Sequence, residues 1–453
     1  MYEDAGIVGW ADAPGEALTP REARLERAAS ALRWGALANG GLIAVLLLLA
    51  FLGGVRAVPG LFSALHSALL GAAALADDAA LATVIVLTLL NTSLLLVLMV
   101  GVLARELWAL VGLWLLAAAN AAALLLAGFT PGVVTAGAAA WAGAVAARDA
   151  RAFRLNPVMV RELRGRMRGA RAFVVLTVYL GLMSGFTVLL YLFYTATQIT
   201  GSAASGAVGR VLFVGLVGIE LLLIIFIAPA FTAGAIAGER ERQTYDLLRT
   251  TLLASPSFVI GKLESALGYI LLLLFSAIPL QSIAFLFGGV NTAEIVLAFV
   301  ILTATAITLG TVGIYFSAIT PRALTASLRA YAAALAITFG VPLLASLPLF
   351  NAFVGAAGGY GSGISGSPVV EAAFIYAGLF LVSLNPIATA LITQQLLIDR
   401  QVVGFWTVTL SSDGSTIPLV SPWISFTVAC LAISTALVVL AVRRMRRPAR
   451  EAR

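Results

Sequence analysis

The chain has 453 residues, of which 61% are hydrophobic and only 11% are charged, and its mean hydropathy is +1.03. This much apolar surface exceeds what one soluble core can hide, which excludes an ordinary soluble domain and predicts a helical protein that crosses a membrane many times. The net charge of +7 comes from Arg residues clustered between apolar runs, so membrane lipids and cytosolic proteins are the expected partners and nucleic acid is not.

Apolar runs of about 20 residues mark the predicted spans, because a helix of that length crosses about 30 Å of hydrocarbon. Residues 1–34 carry charges of both signs and are predicted to form a cytoplasmic N-terminal segment. An extra region of four helices is predicted over 35–147, and six more helices over 172–442. The ten predicted spans are 35–53, 81–103, 107–128, 132–147, 172–194, 209–237, 265–287, 292–318, 331–350 and 424–442.

The distribution of charged residues along the chain predicts which connectors lie in the cytoplasm. Residues 148–171 contain eight Arg and the tail 443–453 contains six, so both segments are expected in the cytoplasm. The connectors that should lie outside hold no Lys, Arg, Asp or Glu; they are 195–208, 288–293 and 351–370. We therefore expect a multi-pass protein of the plasma membrane with its N-terminus and C-terminus in the cytoplasm.

The apolar segment 371–392 does not fit this alternation as a full crossing. Counting it as a span would place the Arg-rich tail outside, and Pro386 interrupts it within "SLNPIATA". We predict a re-entrant element inside an external region, 351–423, because irregular backbone at membrane depth survives where protein or a watery cavity satisfies it. The alternative is an eleventh span with a different topology.

Signatures of common enzyme sites are missing from the sequence. It contains no GxxxxGK[ST], HExxH, CxxC or GxSxG motif, and its only lysine, Lys262, follows no Gly-rich turn after a strand. One cysteine, Cys430, and one histidine, His66, leave no His/Cys metal cluster. We therefore expect no catalytic residues, no metal site and no cofactor bound by this chain.

The segment "RLNPVMVRELRGRMRGARAF" predicts an amphipathic helix over 155–171 within the connector 148–171. Its apolar side would hold Leu155, Met159, Leu163, Met167 and Ala170, and its basic side Arg161, Arg164, Arg168 and Arg171. Such a helix lies in the membrane surface, with the Arg residues against anionic lipid headgroups. Arg166 breaks the pattern and is expected to snorkel. The alternative is an ordinary basic linker, because Gly165 and Gly169 weaken a helix.

The segment "AGERERQTYDLLRTTLLASPSFVIGKLES", 237–265, carries eight charges that sum to zero. The positive-inside rule does not explain this balance, which is typical of a folded surface that faces another protein. A short helix is predicted with Tyr245, Leu248 and Leu252 on one apolar edge. Ser255 then serves as a predicted N-cap and Pro256 as the first residue of the next helix. The alternative is a solvated connector with a Pro turn.

Together these two segments resemble the permease subunit of type-2 ATP-binding cassette (ABC) exporters, whose loop reads GERE, then T, LL, SP and a GK pair. The matching residues are Gly238 to Glu241, Thr244, Leu247, Leu248, Ser255, Pro256, Gly261 and Lys262. The resemblance covers roughly residues 155–442. It implies a six-helix type-2 exporter core, an elbow helix at 155–171, and a coupling helix in 238–264 that docks on a separate cytoplasmic ATPase subunit, which binds the ATP. It also implies a second permease copy or homologue.

Three groups of candidate site residues follow. The ATPase-coupling residues are expected to be Glu239, Arg240, Glu241, Arg242, Thr244, Tyr245, Leu247, Leu248, Ser255 and Pro256. The interfacial elbow is expected to use Arg161, Leu163, Arg164, Met167 and Arg168. Glu220 lies near the middle of a span and is a candidate for the translocation pathway, because a charge in lipid is costly and usually faces a bundle interior. The alternative role for Glu220 is a hydrogen bond within a helix contact.

Two other functions remain open from the sequence. A secondary transporter driven by an ion gradient would show several paired ionisable residues near the membrane midplane, whereas Glu220 is the chief one present. A membrane assembly or sensor protein without transport activity is the second alternative. The cargo of an exporter is not identified by any motif in the sequence.

Overall fold

The computed structural model describes residues 20–54, 77–197, 205–244, 255–346, 368–409 and 416–446. These residues form fourteen α-helices, one 3-10 turn and one two-stranded hairpin. Nine of the helices in the described ranges are long and apolar enough to cross a membrane. The prediction of an all-α, multi-pass membrane fold is therefore confirmed at this level, while the exporter core stays a prediction.

The N-terminal region consists of four helices, namely α1 (Pro20–Gly54), α2 (Asp77–Leu103), α3 (Leu107–Ala127) and α4 (Gly132–Ala147). One predicted boundary was wrong. Helix α1 extends fifteen residues before the predicted span 35–53, because its charged first half buries Leu25 and Leu32 at helical spacing. Helix α4 has the bounds predicted at 132–147, but its 16 residues cover only about 24 Å, so its crossing of the membrane stays a prediction.

The remaining helices follow a 3-10 turn at Ala150–Ala152. They are α5 (Pro157–Met167), α6 (Ala170–Thr197), α7 (Ser205–Thr232), α8 (Ala237–Glu241), α9 (Ser255–Leu286), α10 (Thr292–Ile319), α11 (Ala323–Ser346), α12 (Pro368–Val382), α13 (Pro386–Asp399) and α14 (Pro422–Arg446). Six of them, α6, α7, α9, α10, α11 and α14, are candidate spans. Helix α10 packs against α7, α11 and α14, and α9 packs against α5 and α7.

Helices α12 and α13 form a pair bent by 116°, so the segment predicted at 371–392 is not one straight span. Asn385 produces the break: its Oδ1 accepts a hydrogen bond from the Ala388 N–H, and Pro386 follows as the first residue of α13. The Asn385 side chain also donates to the carbonyls of Ile337 and Thr338 in α11. Hydrogen bonds within the protein thus stabilise the chain at the break, as a re-entrant element requires. The re-entrant path itself stays a prediction.

An antiparallel hairpin of β1 (Phe405–Thr409) and β2 (Thr416–Val420) precedes α14, with Phe405 opposite Val420. The sequence analysis did not predict strands in the external region 351–423. The alternating Thr, Val and Ile residues of "FWTVT" and "TIPLV" are the local signal for it. Residues 351–367 of that region lie outside the described ranges.

The largest hydrophobic cluster joins the two halves of the chain. It is formed by side chains from the N-terminal helices and from α9, α10 and α14, including Leu32, Leu95, Leu113, Phe258, Ile314 and Val438. Helix α2 makes the direct contact with α14. The N-terminal region is therefore packed onto the six longer helices through a shared apolar core.

Glycines bring α7 against the turn between α9 and α10. A Cβ atom on Gly209 would overlap the carbonyl oxygen of Gly288, and one on Gly289 would overlap Gly206. Gly288 and Gly289 have φ values of +86° and +79°, which favour glycine. The Arg210 guanidinium donates to the Gly289 carbonyl at 2.9 Å and closes the contact.

We predict that Gly209→Val lowers the free energy of unfolding by about 1–3 kcal/mol, because the added side chain must push backbone atoms apart. Thermal unfolding of the purified protein in detergent measures the change. Gly185→Val is the matched control, since a Cβ atom on Gly185 in α6 meets nothing within 4 Å. Equal melting temperatures for the two variants would contradict the close contact.

Candidate functional site

Lys262 is the centre of the candidate site. Its side chain is buried, with 5% of the residue exposed, and its ammonium contacts the carboxylates of Glu162 in α5 and Glu239 in α8. The ammonium also lies 5.5 Å from the centroid of the Phe258 ring. A buried cation is stable only when it is paired and hydrogen-bonded. One lysine therefore holds together α5, α8 and α9.

Gly261 precedes Lys262 for a steric reason. A Cβ atom at this position would lie 2.5 Å from Asn156 Oδ1, so only glycine allows the Asn156 side chain to rest on α9. Asn156 Oδ1 accepts a hydrogen bond from the Val158 N–H and caps α5. Asn156 Nδ2 donates to the Ser257 carbonyl at 2.6 Å. Asn156, in the predicted elbow segment, and the Gly261-Lys262 pair therefore belong to one contact.

Helix α8 is held in place by bonds within the chain. Ser317 Oγ, near the end of α10, accepts hydrogen bonds from the backbone N–H groups of Ile236 and Ala237, each at 2.9 Å. Glu241 Oε1 accepts from the Ala323 N–H at 2.9 Å, at the positive N-terminus of α11. The Arg240 guanidinium donates to the Thr320 carbonyl. Helix α8 is thus tied to both α10 and α11.

The expectation that the charges of this loop face another protein stays a prediction. Glu239, Arg240 and Glu241 all have partners within the chain, so each of them also contributes to folding. Glu241 is exposed, and so is the turn after α8, where Arg242 and Thr244 face outward. Spacing along the sequence could not reveal these pairs, because the partners are separated by 23 to 82 residues.

The other predicted coupling residues are only partly visible. Ser255 and Pro256 are the first two residues of α9 as the structure describes it, and Pro256 is buried. The residue predicted as the N-cap, Ser255, therefore lies inside the helix. Tyr245, Leu247 and Leu248 fall in 245–254, which is outside the described residues.

The predicted elbow is shorter than expected and packs against protein on one side. Helix α5 ends at Met167 and α6 begins at Ala170, with Gly169 at φ +91° between them, so 155–171 is not one helix. Leu163 packs against the hydrophobic cluster of α6, α7 and α9, whereas Met167 is exposed. The basic side is exposed as predicted, namely Arg161, Arg164 and Arg168.

Arg166 does not snorkel. Its guanidinium lies 5.1 Å from the centroid of the Phe231 ring and donates to the Phe231 carbonyl at 3.3 Å. It also forms an ion pair with Glu162 one turn earlier, at 3.7 Å. The residue that broke the amphipathic pattern therefore joins α5 to the end of α7, through cation–π and charge contacts.

A groove of about 730 Å³ lies beside these contacts, between α5, α6, α8 and α9. The charged residues that line it are Glu162, Arg166, Arg168, Glu239, Arg242 and Lys262. Four cations and two carboxylates leave the groove with a formal charge of +2. An acidic group on a partner is therefore electrostatically favoured there.

Glu220 lies in a contact between helices. It is buried, and Gln281 Nε2 in α9 donates to its Oε2 at 2.8 Å. Its Oε1 and the hydroxyl of Tyr179 in α6 have no hydrogen-bond partner among the described residues. Glu220 does not line the groove beside Lys262. Its place in a translocation pathway therefore stays a prediction.

Glu106 is a site residue that the sequence analysis missed. It lies between α2 and α3, is only 2% exposed, and accepts a hydrogen bond from Asn156 Nδ2 at 2.6 Å. Burial, with a smaller contribution from the nearby charge of Glu264, raises its pKa from 4.5 to about 8. Glu264 in turn accepts from Trp108 Nε1 at 2.7 Å. The N-terminal region thus contacts the Lys262 site through Asn156.

We predict that Lys262→Met lowers the free energy of unfolding by roughly 3 kcal/mol, because Glu162 and Glu239 would face each other without a cation. Adding Glu162→Gln and Glu239→Gln to this variant should recover most of the loss. Unfolding in detergent measures both changes. Arg27→Met, at an exposed position of α1, is the control and should change stability by less than about 1 kcal/mol. A Lys262→Met variant as stable as the wild type would contradict the proposed role of the buried ion pairs.

A second prediction concerns pH. The raised pKa of Glu106 means that the folded protein binds this proton more tightly than the unfolded chain, so stability falls as pH rises from about 4.5 to about 8. Glu106→Gln keeps the acceptor for Asn156 and removes the charge. Its melting temperature should exceed that of the wild type at pH 8 and approach it at pH 5. Glu22→Gln, at an exposed carboxylate, is the control. A difference that does not depend on pH would contradict this account.

No metal-ligand group of three or more His, Cys, Asp or Glu residues occurs in the part of the chain that the structure describes. No protein-family model matches the chain. No curated protein matches it either. The contacts around Lys262 and the motif resemblance are therefore the features that point to a function.

Proposed function

We propose that the chain is the permease subunit of a type-2 ABC exporter, working with a separate cytoplasmic ATPase subunit that binds the ATP. The observation that carries the proposal is the contact of Lys262 with Glu162 and Glu239, which we call the joint. Residues from both segments that resemble the family meet there. Gly261 and Lys262 contact Asn156 and Glu239, which come from the elbow segment and the GERE segment. Because these motif residues form one contact network, they support the proposed function more strongly than the sequence resemblance alone does.

The joint has the mechanical property that coupling requires. A soluble ATPase moves the spans only by pushing on an element that is rigidly connected to them, and the two states must differ in their contacts. Helix α8 is connected to α9 through Lys262, to α10 through Ser317, and to α11 through Glu241. A displacement of the turn at Arg242–Thr244 is therefore transmitted to three candidate spans.

The orientation agrees with this assignment. The Arg-rich segment 148–171 lies next to the joint, and by the positive-inside rule it belongs in the cytoplasm, where an ATPase would be. Under this proposal, both termini lie in the cytoplasm of a plasma-membrane protein. The groove of charge +2 and the exposed turn form the surface for the ATPase, and a second permease copy or a homologue would complete the transporter.

One observation favours this proposal over a secondary transporter. Within the described spans, the midspan carboxylate Glu220 is bonded to the neutral side chain of Gln281 rather than to a second ionisable residue. Ion-coupled transport usually uses linked ionisable groups along a path. The charged network of this chain is concentrated at the end of the bundle that carries α8.

We predict that Arg242→Glu lowers copurification of the proposed partner ATPase subunit by about tenfold or more, because it reverses a charge on the exposed turn. The melting temperature of the permease should not change, since Arg242 faces outward. The measurement is pull-down of the coexpressed pair together with ATP hydrolysis in lipid nanodiscs. Arg27→Glu, on the exposed side of α1, is the matched control.

Two outcomes would count against the proposal. If wild-type chain retains no ATPase under any salt condition, the exporter function is wrong and the secondary transporter or sensor function gains support. If the ATPase copurifies equally well with Arg242→Glu and with the wild type, the turn after α8 is not its contact surface. Normal copurification with uncoupled hydrolysis would instead locate coupling, rather than docking, at this turn.

A further inference from the structure

A second cavity lies at the opposite end of α10 from the Lys262 site. It has a volume of about 190 Å³ and is lined by α7, α10, α11 and α13. It reaches the first residues of α10 at Glu294, whereas Ser317 contacts α8 near the last residues. Most of its lining is apolar, including Val217, Leu221, Ile225, Leu297, Ile301 and Ile387.

Three polar residues at this cavity have unused hydrogen-bonding capacity. Glu294 is 6% exposed; its Oε1 accepts from the Asn291 N–H, but its Oε2 has no partner among the described residues. Thr393 is 3% exposed. Its hydroxyl and the Nε2 atom of Gln394 also have no hydrogen-bond partner among the described residues. Buried polar atoms are normally satisfied, so three at one cavity indicate a missing partner.

The charge at the cavity and its access from the bilayer indicate which chemical class of ligand would bind there. Among the described residues that line the cavity, Glu294 is the only charged one, so a positively charged group is complementary to it. Leu222, Phe339 and Leu391 also line the cavity and are exposed on the surface of the bundle. In a membrane, that surface faces lipid. A ligand would therefore enter sideways from the bilayer.

We propose that this cavity binds an amphiphile with a primary ammonium head and a slender apolar body. The ammonium would donate to Glu294 Oε2 and to the Thr393 hydroxyl, and the body would lie along α7 and α10. A cavity of about 150 Å³ accepts benzene, so this one accommodates roughly six to eight carbon atoms. The proposal goes beyond the exporter function, because binding here needs no ATPase.

The test uses the purified full chain in phosphatidylcholine nanodiscs at pH 7.5, where an alkylamine is protonated. The probes are octylamine, octanol and octanoate, and the readout is the melting temperature as a function of probe concentration. A ligand that binds the folded state raises this temperature. Octylamine should do so saturably, octanol less strongly, and octanoate not at all.

Two variants separate the cavity from general effects of the bilayer. Glu294→Gln keeps the acceptor for the Asn291 N–H but removes the charge, so the apparent affinity for octylamine should fall at least tenfold, toward that of octanol. Ala390→Phe adds a ring to the cavity wall and should abolish the response to octylamine. Ala336→Phe, at an exposed position of α11, is the matched control and should respond as the wild type does.

Three results would overturn the proposal. Equal effects of octylamine and octanoate would mean that the probes act through the bilayer. An undiminished response in Ala390→Phe would place the binding elsewhere, and so would an unchanged amine preference in Glu294→Gln. If Ala390→Phe fails to fold, the isosteric Glu294→Gln variant still decides the question. Loss of the ATPase interaction would affect none of these readouts.

Discussion

The pairing of one buried ammonium with two carboxylates is the constraint on which the architecture at this end of the helical bundle depends. A buried cation must be paired, and Glu162 and Glu239 both reach Lys262. Two candidate spans separate Glu162 from Glu239 along the chain, and a loop separates Glu239 from Lys262. These two ion pairs fix the positions of α5 and α8 against α9.

The same joint connects the N-terminal region to the longer helices. Asn156 accepts from the backbone of α5 and donates both to α9 and to Glu106, which lies between α2 and α3. Together with the shared hydrophobic cluster, this bond makes the four N-terminal helices part of the same body. If the exporter proposal is correct, movement of α8 is resisted or guided by a region that the family pattern lacks. The near-neutral pKa of Glu106 makes that connection sensitive to proton concentration.

The long helices were predictable from sequence because apolar runs of sufficient length are a local property. Predictions failed where the decisive contact was distant. Leu25 and Leu32 extend α1 into a charged segment because they pack onto other helices, and Arg166 turns inward because Phe231 offers a ring and a carbonyl. The motif residues around Lys262 were identified, but their mutual pairing was not. Glu106 had no local signal at all, since its partner Asn156 is 50 residues away.

Helix α10 links the two ends of the molecule that carry unusual polar groups. A Cβ atom on Gly313 would overlap the Thr232 side chain, so glycine lets α7 approach α10 closely just before the chain turns into α8. Helices in such close contact move as a unit more readily than they slide. A displacement imposed on α8 is thus expected to reach Glu294 at the first turn of α10, where the apolar cavity begins. Occupancy of that cavity and the position of α8 would then be thermodynamically linked, with each affecting the other by the same factor.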